Sequence, residues 1–464
     1  MVELMLLRLT RMADLTVIGG GLAGCEAAWQ AAQQGLEVIL YEMRPFIQTG
    51  AHQTAGLAEL VCSNSLGSNL VDRASGLLKD ELRRMRSMLL DCADTCAIPA
   101  GSALAVDRKA FSELVTRKIE AHHRIHVVRE EVKTIPLTPT IIASGPLTSP
   151  ALTHAIQEIT GQENLYFYDA IAPIVLAESI DMNIAFRATR RHRDAKSSGE
   201  GDYLNCPLGR EQYYTFVDNL SNASHVSLHD FEHDLLSSTG VKAGAQKYFE
   251  ACLPIEVLAS RHPDALAYGP MRPIGLIEPK SKKRPYAVVQ LRQDNLAGDL
   301  YNMVGFQTNL TYLEQKRVFR MIPGLEHAEF IRFGQMHRNS FIASPLLLET
   351  TLQFRYRENL FFAGQITGVE GYMGNIATGL LAGLNAVCFV KGEELLEFPR
   401  TTMLGSLCYY ITHAEMKNFQ PMKANFGILP SLPSHIIGKH MRSIQYALRA
   451  QNDLKQYLEL IKDV

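Results

Sequence analysis

A glycine-rich run, Gly19-Gly20-Gly21-Leu22-Ala23-Gly24, separates a short apolar stretch (Leu15, Val17, Ile18) from an alanine-rich one beginning at Cys25. A second apolar stretch, Val38-Ile39-Leu40-Tyr41, then ends at Glu42. Strand, glycine turn, helix, strand and acid in that order restrict the chain to an α/β fold with a dinucleotide at its first turn. Gly19 permits the tight turn, Gly21 lets the backbone approach a pyrophosphate, and Gly24 brings helix and strand together, so that phosphates meet the helix N-terminus. Glu42 is placed for the ribose hydroxyls. The motif alone leaves NAD and FAD both open.

A chain of 464 residues, 47% apolar, is long enough for about three ordinary domains or two large ones. Its formal net charge of −2 gives no bulk attraction for a polyanion, so any nucleic-acid contact must come from local patches. Residues 1–12 include Leu4, Met5, Leu6 and Leu7 but neither a basic n-region nor a cleavage site, and read with residue 13 as an N-terminal extension. No apolar run of the roughly 20 residues that span a bilayer is found. Eight scattered cysteines without a secretory signal point to reduced thiols and a cytoplasmic protein. Cys92 and Cys96 are close together, but with no histidine or second cysteine pair nearby they do not read as a metal site.

Residues 14–44 form the first βαβ half, and Thr140-Ile141-Ile142-Ala143-Ser144-Gly145 reads as a later buried strand of the same unit, residues 14–163. Within it, residues 76–90 read as helical and basic-faced and residues 125–132 as a strand. From 164 to 335 the character changes. Leu165-Tyr166-Phe167-Tyr168 and Tyr213-Tyr214-Thr215-Phe216 read as aromatic strands, with polar loops and a helix near 244–252, suggesting an inserted α+β domain. Phe361-Phe362-Ala363-Gly364-Gln365 reads as a return to the first sheet, followed by Gly368, Gly371, Gly374 and a helix over 376–390. Residues 336–395 would then complete the nucleotide-binding domain, and 396–464 form a helical closing segment.

The expected fold class is therefore α/β, a Rossmann-like FAD-binding domain carrying an inserted α+β domain. FAD is favoured because it needs a second anchoring turn. Gly364, Gly371 and Gly374 can present backbone N–H groups and a positive helix end to the flavin N1/C2 edge. The other reading of that turn is a tight connection that only packs.

Further blocks are more specific: Leu60-Val61-Cys62-Ser63-Asn64-Ser65, Gly269-Pro270-Met271-Arg272-Pro273-Ile274-Gly275-Leu276, the run from Arg284 to Asn295, Gly305-Phe306-Gln307-Thr308, Glu314-Gln315-Lys316-Arg317, Met336-His337-Arg338-Asn339 and Asn425-Phe426-Gly427-Ile428-Leu429-Pro430. Through these the chain resembles, over nearly its whole length after residue 14, the folate- and FAD-dependent tRNA (uracil-5-)-methyltransferases called TrmFO, relatives of the GidA flavoproteins. It departs at residues 189–201, where the family carries a shorter loop, and at His262, where a glycine usually follows the arginine.

The resemblance implies methylation of C5 of uridine 54 in the tRNA T-loop. The carbon would come from 5,10-methylenetetrahydrofolate, the hydride from reduced FAD, and the reducing equivalents from NADPH or NADH. tRNA and folate are the implied partners, with no membrane and no obligatory protein partner. Uracil C5 is a weak nucleophile until a thiolate adds at C6, and Cys252 matches the residue implied to add there. Cys62 matches the second functional cysteine, near the flavin, as proton acceptor or adduct partner. Without the resemblance either thiol would read as a small core residue.

Glu250 and Glu256 flank Cys252 and would oppose a thiolate if they faced it, which makes Arg261 and Arg272 candidate compensating cations. Three basic clusters could meet RNA: Arg187, Arg190, Arg191, Arg193 and Lys196; Lys280, Lys282, Lys283 and Arg284; and Arg83, Arg84 and Arg86. Each alternatively reads as a solvated face. His337 and Arg338 are open to folate, RNA or a bracing role. Two other functions remain: an FAD- and NADPH-dependent oxidoreductase of a small molecule, and a tRNA-binding flavoprotein without catalysis.

Overall fold

The structure, a computed structural model, describes residues 13–162, 165–190, 201–226, 253–433 and 436–461, excluding the side chains of 166–169, 337 and 338. Leu15–Ile18 is buried throughout and pairs in parallel with Val38–Tyr41 on one side and Thr140–Ile142 on the other, with Val17 opposite Leu40 and Ile141. Leu360–Phe362 adds beyond Thr140–Ile142, and Ile125–Val128 beyond Val38–Tyr41. The first strand is thus central in a five-stranded parallel sheet. Apolar at all but Thr16 and buried along its whole length, it has the character that a sheet covered on both faces requires.

The glycine turn leads into the helix Leu22–Gln33, which begins three residues before Cys25 because Gly21 is its N-cap. Gly19 lies at φ +111°, and a Cβ on Gly24 would fall 1.8 Å from Gly19 O, so turn and helix meet only without a side chain there.

Packed on this helix is Tyr372–Lys391, longer at its N-terminal end than the expected 376–390. Gly379 and Gly383 form the seam: a Cβ on either would come within 2.3 Å of Ala23 O or 2.7 Å of Ala27 O respectively. This close approach sets the second glycine turn beside the first. The helix also corrects the expectation that no apolar run has spanning length, since its 20 residues are apolar enough to cross a membrane. Glycines, Thr378 and Asn385 interrupt the run to the eye without lowering its average. As 83% of that apolar stretch is buried, it is a core helix.

A six-stranded antiparallel sheet is ordered Phe186–Ala188, Tyr203–Leu208, Ala287–Gln293, Leu300–Met303, Ile174–Leu176, Phe330–Arg332. It has its own apolar core, drawn from residues between Val175 and Ala328. Met336–Phe341 pairs with Leu165–Ala170, and Ser65–Ser68, Ala103–Val106 and Ala97–Ile98 form a further small sheet.

Some local expectations are corrected. Tyr213-Tyr214-Thr215-Phe216 belongs to the helix Arg210–Ser221, where Tyr213, Phe216, Val217 and Leu220 are buried at helical spacing and Gln212 Oε1 accepts from Gly209 N–H. Residues 76–90 are two helices, Ala74–Arg84 and Met88–Thr95, broken at Arg86 with φ +59°. Ser87 Oγ accepts from Leu90 N–H and starts the second. The strand expected over 125–132 ends at Val128. The helix read near 244–252, and residues 1–12, lie outside the described residues.

Candidate active site

The glycine turn and the end of the second strand enclose a cleft whose wall includes Gly19, Gly21, Leu22, Ala23, Glu42 and Arg44. A Cβ on Gly21 would meet nothing within 4 Å, so the backbone is open to a ligand at that point. Gly20 and Gly24 are used otherwise: Gly20 N–H donates to Glu42 Oε2 at 3.0 Å, and Gly24 abuts Gly19 O. Burial pushes the Glu42 carboxyl up, but hydrogen bonds and charge from Arg44 outweigh it and hold the group below the usual carboxylate range. Gly20 N–H and three donors of Arg44 together fill the four acceptor positions of Glu42. A ribose hydroxyl bonding there displaces one of them. Arg44, missed in the sequence, is 1% exposed and also meets Glu59 at 3.0 Å.

A second cleft, of about 320 Å³, adjoins the first; Val61, Pro146, Gln365, Tyr372 and Asn375 line both. Its wall adds Cys62, Gln307, Asn339, Glu370, Gly371 and Gly374. Gly371, at φ +83°, is the N-cap of Tyr372–Lys391, so the first turn of that long helix borders the cleft. Gly364 lines the first cleft, pressed against Ala23: a Cβ there would lie 2.8 Å from Ala23 Cβ.

Two buried side-chain oxygens, Asn339 Oδ1 and Asn375 Oδ1, have no hydrogen-bond partner, and both residues line the second cleft. Unfilled acceptors on such a wall call for a ligand's donors. The adjoining clefts therefore fit an extended FAD, which Gly19–Ala23 could hold at its adenosine diphosphate end and Gly371–Asn375 at its flavin end.

Cys62 sits on an irregular loop just before Ser65–Ser68. Tyr372 Oη accepts from the N–H groups of Cys62 and Ser63 at 2.9 and 3.0 Å. Burial, with Cys62 nearby, raises the Tyr372 phenol above its ordinary range. Arg108 donates to Leu60 O and pairs with Asp294 at 2.9 Å. Cys62 is half-buried, whereas Cys25, Cys92, Cys206, Cys388 and Cys408 are buried. Burial pushes the Cys92 and Cys408 thiols up to about 12, marking them as packing residues.

Cys252 lies outside the described residues. Ile255 N–H, three positions on, donates at 2.7 Å to the carbonyl of Gln307, a residue of the Cys62 cleft. Glu256 is bonded to the loop that follows Gln307: its buried carboxyl accepts from Asn309 N–H at 2.7 Å and Thr308 Oγ1 at 2.8 Å. Arg261 and Arg272 are exposed and do not line the cleft.

The family model for glucose inhibited division protein A matches residues 14–394. The chain is 54% identical over 445 residues to the methylenetetrahydrofolate–tRNA-(uracil-5-)-methyltransferase TrmFO of Enterococcus faecalis, covering 96% of this chain and 98% of that one. It is 52% identical to the same enzyme of Anoxybacillus flavithermus, covering 96% and 99%. The chain belongs to the TrmFO family. Among solved structures it is similar to Aquifex aeolicus GidA in the form II crystal, with TM-score 0.67 and 16% identity over 97% of this chain and 74% of that one, which establishes the shared fold.

In this TrmFO chain two of the basic clusters adjoin. Arg190 donates to Pro270 O at 3.1 Å and Lys280 to Asn183 O, drawing the loop 270–284 onto residues 183–190. Lys282, Lys283 and Arg284 are exposed there, while Arg187 meets Tyr301 Oη at 3.1 Å. Arg191, Arg193 and Lys196 lie outside the described residues. The third cluster is largely neutralised, Arg83 by Asp94 at 2.7 Å and Arg84 by Asp80 at 2.9 Å. His337 and Arg338 fall on the strand Met336–Phe341, with side chains outside the description.

Proposed function

We propose that this chain methylates C5 of uridine 54 in the tRNA T-loop, using 5,10-methylenetetrahydrofolate and FAD, with NADPH or NADH as reductant, in the cytoplasm. The observation that carries the proposal is the pair of adjoining clefts, one lined by Glu42 and the other by Cys62, in a chain of the TrmFO family. In this reading residues 14–163 and 336–395 hold the cofactor and residues 164–335 meet the tRNA.

Cys252 adds to uracil C6 as a thiolate, which makes C5 nucleophilic toward the folate-borne methylene carbon. The supporting observation concerns its described neighbour: Ile255 N–H donates to the carbonyl of the cleft residue Gln307. Cys62 is the thiol on the cleft wall and takes the role of proton acceptor from C5. As C5 gives up its proton, the bond between the methylene carbon and the folate nitrogen breaks and tetrahydrofolate leaves; hydride addition to the resulting exocyclic methylene then expels Cys252 from C6. Bound FAD, once reduced, supplies the hydride that brings the transferred carbon to the methyl level. Tyr372 and the guanidiniums around residues 60–64 hold Cys62 while this occurs.

Incubating the FAD-loaded protein with undermodified tRNA, methylenetetrahydrofolate and NADPH should yield 5-methyluridine by nucleoside mass spectrometry. Cys252→Ala should stay yellow and folded and make none. Absence of product from the yellow wild-type protein refutes the proposal, and tRNA retention would then separate a non-catalytic binder from a small-molecule oxidoreductase.

A further inference from the structure

We infer that Arg292 and Arg332 are positioning residues for this methyl transfer, orienting the Cys62 loop and favouring an ionised Cys62 through their charge. The inference rests on the reading of Cys62 as a functional thiol. Residues 60–64 belong to no helix or strand, so their shape depends on side chains that reach them. Arg332 donates to Val61 O at 3.2 Å and to Cys62 O at 3.1 Å. Arg292 donates to Asn64 Oδ1 at 2.8 Å and Ser63 Oγ at 2.9 Å. Both arise from the antiparallel sheet, while Tyr372, which accepts the Cys62 N–H, belongs to the helix packed on Leu22–Gln33. The Cys62 peptide is therefore gripped on both edges by groups from different parts of the molecule.

Charge is out of balance at this grip. Arg108, Arg292 and Arg332 converge on five residues, and among the described residues Asp294 is the single carboxylate bonded to them. Arg292 is 7% exposed, and Arg332 Nε is buried without an acceptor. Three guanidiniums sharing one carboxylate leave buried positive charge only partly compensated, which is costly. An anion at Cys62 adds to the compensation: burial pushes both guanidiniums down, Arg332 to about 10, and Asp294 and after it Cys62 act in the opposite direction on each. Tyr203 and Tyr372 are the other titratable groups facing them.

The test uses full-length, FAD-loaded Arg332→Met and Arg332→Lys. The readouts are the rate of Cys62 carbamidomethylation by iodoacetamide at neutral pH, followed by peptide mass spectrometry, together with kcat and the KM for tRNA. Arg332→Met should slow alkylation about tenfold through the smaller thiolate fraction and lower kcat by roughly 10²-fold through misplacement, with KM and flavin content unchanged. Lysine should restore most of the alkylation rate but less of kcat, since it cannot fork across two carbonyls. Wild-type alkylation by a yellow Arg332→Met protein overturns the inference. If that variant does not fold, Arg292→Lys decides: it keeps the charge and loses the two-point grip, so normal alkylation with reduced kcat supports the inference and normal kcat overturns it. Full methylation by Cys62→Ala instead removes the functional reading of the thiol, and slow alkylation in Arg332→Met stands apart from that result.

Discussion

A methyl group added to Gly21 meets nothing within 4 Å, whereas one added to Gly24 meets Gly19 O at 1.8 Å. Two glycines of one motif therefore answer different tests. Gly21→Ala should leave the melting temperature of the cofactor-free protein unchanged and weaken FAD at least tenfold, as read by flavin absorbance titration, because the methyl stands where backbone and pyrophosphate approach. Gly24→Ala should instead cost about 3 kcal/mol of stability, as overpacking does, visible in thermal melts without FAD. The spacing of the motif shows which residues are glycine, but not which one faces the ligand. Arg44 illustrates the remainder: an arginine two residues beyond Glu42 carries no sequence signal of being its buried partner, because that pairing depends on the turn back to Glu59.

Two helix N-termini in this fold also receive an acid from elsewhere in the chain, beside their own Ser or Thr cap. Glu81, on the helix Ala74–Arg84, accepts from Met403 and Leu404 N–H at 2.7 and 3.0 Å, and Glu26 does the same for Met88 and Leu89. Burial pushes the Glu81 carboxyl up to about 7, the two N–H bonds pulling the other way without cancelling it. The folded protein therefore keeps this proton over a range where the unfolded chain has lost it. Its stability contribution is complete below about pH 4.5 and declines as pH rises toward 7, by about 3 kcal/mol in all. Melts from pH 4.5 to 8 should show wild type losing ground to Glu81→Gln as pH rises; parallel curves would rule this out. The strands of the parallel sheet were legible because their short runs are nearly all apolar, and the helix Arg210–Ser221 was misread because Tyr213-Tyr214-Thr215-Phe216 has strand-like composition. Burial at helical spacing, visible only over the longer window to Leu220, decides it.

Across the whole molecule, the adjoining basic clusters and the paired one predict unequal effects on RNA. Replacing exposed Lys282 and Lys283 with alanine should weaken tRNA binding and reduce the salt slope by roughly one for each phosphate no longer neutralised. Arg83→Ala with Arg84→Ala should change neither, since Asp94 and Asp80 already hold those charges. Filter binding across a salt series measures both. The family and fold class were legible because their motifs are local in sequence. The grip on Cys62 was not, since it joins Leu60–Asn64 to Arg108, Arg292, Arg332 and Tyr372, residues that only the folded topology brings together.

The seam of Gly379 and Gly383 on Ala23 and Ala27 also bears on biosynthesis. The helix Tyr372–Lys391 leaves the ribosome as an apolar segment of membrane-spanning length, but the Leu22–Gln33 helix that packs on it has been made long before. Its cover waits in the nascent chain. A variant whose early helix cannot receive it, such as Ala27→Leu, would release a greasy segment with nowhere to dock, and chaperone or membrane capture would compete with folding.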